Sequence, residues 1–135
     1  MLSSNMIYSL LVLSSPASGQ TARSAALFAQ AALAGGHSIE RVFFMDEGSY
    51  AGDAHRVQAQ DEPDPMALWV ALYSQYSLDL VLCVSSAIKR GLLDQSEADR
   101  YEKSAASVHP AFVISGLGQL VDAAAKSDRL ITFGG

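Results

Sequence analysis

The chain has a single cysteine, Cys83, so no disulfide can form within it. Its three histidines, His37, His55 and His109, do not have ligand-like spacing, which argues against a structural zinc site. Basic clusters are also missing. The longest is Lys89-Arg90, and the net charge is −5, so the counterion release that drives tight RNA or DNA binding has no source and no direct nucleic-acid contact is expected. No apolar run approaches the roughly 20 residues needed to span a bilayer, which excludes a membrane-spanning helix. Internal repeats and low-complexity tracts are likewise absent.

Half of the 135 residues are apolar and 17% are charged, a balance suited to one globular domain over 1–135 with a core from about 6 to 134. Met6 to Leu13 followed by Ser14-Ser15-Pro16-Ala17-Ser18 superficially resembles a leader peptide. No positive charge precedes it, though, and cleavage would remove the first strand from the amphipathic segment that follows.

Ile7 to Leu13 reads as a doubly buried strand. Ala22, Ala25, Ala26, Ala29 and Leu33 lie at helical spacing up to a Gly35-Gly36 stop, and Ile39 to Phe44 is a second strand. The polar stretch from Met45 to Pro65 reads as a solvated, partner-facing loop whose acidic spacing fits no calcium pattern. Asp64-Pro65 starts a helix, and because Met66 to Tyr73 is apolar on nearly every face, that helix is expected to be covered on more than one side. Strands at Leu78 to Val84, Ala111 to Ser115 and Arg129 to Phe133 alternate with further short helices. This order predicts an α/β fold, a flavodoxin-like three-layer sandwich whose five-stranded, mostly parallel sheet has helices on both faces.

In such a fold, chemistry collects at the carboxyl ends of the strands. Cys83 ends the most apolar strand, Ser85 and Ser86 open the next helix, and Lys89 and Arg90 follow; amides and cations there would favour a thiolate. Read from its neighbours alone, Cys83 fits a small buried hydrophobe better than a reactive thiol. The amides of Ser115-Gly116-Leu117-Gly118 could face a group bound beside Cys83, or form a plain tight turn. The loop Ser15 to Thr21 stands where flavodoxin-like folds hold phosphate, but it lacks a glycine-rich fingerprint. His55 and His109 have no evident pairing with Cys83 and suit surface or capping roles.

Val42-Phe43-Phe44 with Glu47-Gly48 and Tyr50, Cys83-Val84 with Ala87 and Lys89-Arg90-Gly91, Glu97-Ala98 with Arg100, and Ser115-Gly116-Leu117-Gly118 with Asp128-Arg129 and Phe133 together resemble the DsrE/TusD family. The likeness runs from about Met6 to Gly134 and departs only in extra residues before Met6 and in Lys rather than Arg at position 89. It implies a cytoplasmic sulfurtransferase subunit that takes sulfane sulfur on Cys83 as a persulfide and uses no metal or organic cofactor. It also implies assembly with two related smaller subunits as a heterohexamer, a dimer of heterotrimers, together with separate sulfur donor and acceptor proteins. Glu47 and Tyr50 would lie on the partner-facing loop. The sulfur would go to 2-thiouridine in tRNA or to dissimilatory sulfur oxidation. A lone thiol agrees with this, because its persulfide can be resolved only by a thiolate of another protein. Two alternatives remain open at this point: a noncatalytic assembly subunit, and a flavin or nucleotide carrier.

Overall fold

In the computed structural model, which describes residues 5–59 and 61–134, five strands form one sheet in which every pairing is parallel. The strands are β1 (Ile7–Val12), β2 (Ser38–Phe44), β3 (Leu80–Cys83), β4 (Phe112–Ser115) and β5 (Arg129–Phe133), in the order β4-β3-β2-β1-β5. The α/β class holds, although this order differs from the 2-1-3-4-5 arrangement of flavodoxin itself. The extra residues ahead of Met6 lie, for positions 1–4, outside the described residues.

The helices are α1 (Thr21–Ala34), α2 (Pro65–Tyr76), α3 (Val84–Lys89), α4 (Gln95–Arg100) and α5 (Gly118–Lys126), with a 3-10 helix at Asp46–Gly52. Steps from β1 to β4 march one way across the sheet, whereas the step from β4 to β5 returns across it. Right-handed crossovers therefore put α5 on the face opposite α1 and α2.

Side chains alternate between those faces with the period of two that a strand imposes. Leu10, Val12, Val42, Phe44, Leu80 and Leu82 join the fully buried Ala25, Ala26 and Ala29 of α1 in the larger core. The small residues of α1 let that helix lie close on the sheet. Phe44 meets Trp69 edge-on, ring centroids 5.3 Å apart, and Phe112 at 5.5 Å. Phe43, Val81 and Cys83 point the other way into a smaller core, joined by Leu11, Met45 and Leu120.

Three expectations need correction. Only Pro65, Trp69 and Leu72 of α2 are buried, so the chain covers one face of that helix. The Met45 to Pro65 stretch is not a solvated loop throughout, since Gly48, Ser49, Ala51 and Gly52 are buried in the 3-10 helix. A Cβ on Gly48 would stand 2.0 Å from the Val12 carbonyl oxygen, so only glycine lets this helix rest on the end of β1. Finally, Val84 begins α3 rather than ending β3, which shortens the strand to Leu80–Cys83. The predicted helix start at Asp64 is present, its side chain accepting from the Met66 amide at 3.0 Å.

Candidate functional site at the end of the third strand

Cys83 is the last residue of β3 and lies in register with Ser115, the last residue of β4. Beyond these two residues the chain diverges: α3 sends Ala87 into the larger core, while α5 crosses the opposite face and lays Leu120 on the smaller one. The thiol thus occupies the point where neighbouring strands release their chains to opposite sides, the place where parallel α/β sheets hold ligands.

Its Sγ is 3.4 Å from the Ser85 hydroxyl. Burial pushes the thiol up, but hydrogen bonds from the Ser85 hydroxyl, the Ser86 amide and hydroxyl, and the Ser85 amide outweigh it and bring the pKa below the ordinary thiol value. No cation contributes to that shift. Cys83 is only 2% exposed, with Met45 and Leu120 packed against its cluster. Ser85, its hydrogen-bonding neighbour, is exposed.

Ser86 is 5% exposed, and its hydroxyl accepts from the Asp46 amide at 3.0 Å. Arg90 is spent elsewhere: its Nε donates to Glu47 at 2.7 Å and its Nη1 to the Ser86 carbonyl at 3.1 Å. Lys89 is exposed and forms no ion pair among the described residues. Ser115 is half-buried beside Cys83, whereas Gly116 and Gly118 are exposed, with nothing within 4 Å of where a Cβ would be. Tyr50 packs on the larger core, on the opposite side of the sheet from the thiol cluster.

The histidines lie apart. His109 Nδ1 accepts from the Ala111 amide and His37 Nδ1 from the Met6 amide, while His55 is exposed. Among the described residues no group of three or more His, Cys, Asp or Glu could hold a metal ion. The first strand-to-helix loop borders two open clefts, one lined by Arg23 and Glu62 together and the other by Glu47.

Two features of the site carry no local signal in the sequence. Asp46 adopts φ 53°, the left-handed region, although it is not glycine. Val113, Leu117 and Val121 are 51%, 54% and 68% exposed, and Val113 shares its face with Val81, next to the thiol. Their spacing resembles ordinary strand and helix patterning, so only the unfilled face marks them out.

The model of the DsrE/DsrF-like family matches residues 6–133. The DsrE protein of Allochromatium vinosum is 44% identical over 129 residues, covering 96% of this chain and 99% of that protein. The sulfurtransferase TusD homolog of Pseudomonas aeruginosa is 43% identical, covering 93% of this chain and 95% of its own, and sulfurtransferase TusD of Serratia proteamaculans is 44% identical, covering 91% and 96%. In fold, the chain is similar to the crystal structure of the ychN protein from E. coli, with a TM-score of 0.75 at 17% identity, covering 96% of this chain and 99% of that one.

Proposed function

The chain belongs to the DsrE/DsrF-like family, and on that premise we propose that it is a sulfurtransferase subunit of a sulfur relay in which Cys83 is the carrier. The observation that carries this reading is the set of hydroxyl and amide donors from Ser85 and Ser86 gathered on one thiol at the end of a central strand. In the loading step the Cys83 thiolate attacks the outer sulfur of a donor persulfide. A sulfur–sulfur bond forms to Cys83 and the donor leaves as its thiolate. In the unloading step an acceptor thiolate attacks the outer sulfur, and Cys83 leaves as a thiolate. Sulfur changes carriers with no net oxidation, so no cofactor is required. The same donors serve both steps, because they favour the anion as nucleophile and then as leaving group.

The persulfide adds a sulfur about 2 Å beyond Sγ. The whole chain acts as one domain, and Ser115, Gly116 and Gly118 border the space into which that sulfur extends. Assembly with two related subunits, as a dimer of heterotrimers, is supported by the uncovered apolar side chains Val113, Leu117 and Val121. The protein works in the cytoplasm, and its acidic surface suits a subunit that meets any tRNA only through other proteins. Sulfur ends in 2-thiouridine or in sulfur oxidation, according to the acceptor.

The low exposure of Cys83 favours a second reading, a noncatalytic assembly subunit in which the thiol only packs. Transfer of labelled sulfane sulfur from a persulfidated donor to a thiol-bearing acceptor separates the two. The carrier reading requires transfer that Cys83→Ser abolishes; undiminished transfer by that variant would leave only assembly.

A further inference from the structure

The Glu47–Arg90 ion pair stands beside the site and makes no contact with the thiol. It closes a ring of interactions around Ser86. The Ser86 hydroxyl accepts the Asp46 amide at 3.0 Å, and the Ser86 carbonyl accepts Arg90 Nη1 at 3.1 Å. Arg90 Nε in turn holds Glu47, the residue after Asp46, at 2.7 Å. Both grips on Ser86 therefore lead to the same two residues at the start of the 3-10 helix. Asp46 is held there in a left-handed conformation that persists only where its surroundings fix it. The Met45 amide donates to the Val12 carbonyl and the Gly48 amide to the Met45 carbonyl, both at 3.0 Å, which fixes one side. The ion pair fixes the other.

The first turn of α3 that carries Ser86 also presents the Ser85 hydroxyl, 3.4 Å from Cys83 Sγ. We infer that Glu47 and Arg90 are positioning residues for sulfur transfer, whose ion pair keeps the Asp46 amide on Ser86 and thereby holds the turn that places the Ser85 hydroxyl on the Cys83 sulfur. This rests on the reading of Cys83 as the sulfur carrier.

The charged residues around the thiol are Asp46 and Glu47 on the 3-10 helix and Lys89 and Arg90 at the end of α3. The strands and the first turn of α5 bring Phe43, Val81, Ser115 and Leu120, none of which titrates. This short list allows a sign test. By charge alone, removing the Glu47 carboxylate makes the thiolate easier to form, and Glu47→Asp leaves it unchanged. Positioning predicts a thiolate that is harder to form in both, since Gln lacks the charge and Asp lacks the reach to hold Arg90.

The experiment follows iodoacetamide alkylation of Cys83 against pH in the full chain, with sulfur loading measured in parallel. In Glu47→Gln and in Glu47→Asp the profile moves to higher pH, and alkylation at pH 7 slows about three- to tenfold, the equivalent of half to one pH unit. Arg90→Gln slows it likewise. In a Ser86→Ala background the Glu47 changes add nothing. Unchanged or faster alkylation in both Glu47 variants overturns the clamp. A wild-type chain that accepts no sulfur overturns the carrier reading instead, whatever the alkylation profiles show.

Discussion

An ordinary thiol is about 3% ionised at pH 7, too little for efficient attack on sulfur. Cys83 departs from that value because hydroxyls and amides of the next two residues converge on its sulfur and overcome the cost of burial. Removing one hydroxyl should therefore matter in a definite direction. Ser85→Ala raises the thiol pKa toward the ordinary thiol value, so alkylation slows severalfold at and below the native pKa and converges with the wild type at high pH. A stopped-time alkylation series from pH 6 to pH 10 checks this. Gly48 makes a second prediction at this scale. Because a Cβ there would collide with the Val12 carbonyl, Gly48→Ala should cost about 2–4 kcal/mol by urea unfolding and slow Cys83 alkylation by displacing Asp46. The strand-end cysteine and its following serines can be read from the sequence, because apolar β residues followed by a capping pair mark that spot. The Asp46 contact cannot, because it joins positions 40 residues apart and depends on a backbone angle that Asp tolerates but does not demand.

At the scale of elements, α5 is fastened across its face of the sheet by one buried guanidinium. Arg41 on β2 donates to Asp79 at 2.7 Å, to Asp122 at 3.1 Å and to the Gln119 carbonyl at 2.9 Å. Hydrogen bonds from Arg41, then Lys126, hold the Asp122 carboxyl below its usual range. A carboxylate whose folded pKa is depressed stabilises the fold above its unfolded pKa, and that stability is lost as pH falls through the folded value. The thermal midpoint should therefore fall below about pH 4, with a smaller fall in Asp122→Asn. Arg41→Ala should cost about 1–2 kcal/mol at neutral pH, the carboxylates being exposed enough to find water once freed. Most elements were legible as short apolar runs between turn residues, and Arg129–Phe133 matches its prediction to the residue. Val84 reads as strand because β-branched residues favour one, whereas α3 begins there, one residue earlier than the serines suggest. The 3-10 helix has no sequence signature because Asp, Gly and Ser read as turn, and its burial depends on the contact between Gly48 and Val12, far apart in sequence.

Across the whole molecule, the two faces of the sheet are unequally covered. The larger core is closed by α1 and α2. On the other face α5 leaves Val113, Leu117 and Val121 exposed, Val113 in register with Val81 of the thiol cluster. Strand patterning alone could not reveal this imbalance, because it follows from the strand order β4-β3-β2-β1-β5 and from the shortness of α5. In the proposed assembly, related subunits cover that surface. Val121→Asp should leave the fold of the isolated chain intact by circular dichroism while weakening co-purification with those subunits at least tenfold, read by size-exclusion chromatography. The account as a whole depends on Cys83 holding an extra sulfur. The most direct measurement is the mass of the Cys83-containing peptide after incubation with a persulfidated donor. The prediction is a gain of about 32 Da that reductant removes and that Cys83→Ser lacks. A peptide of unchanged mass, with sulfur found elsewhere on the chain or nowhere, would contradict it.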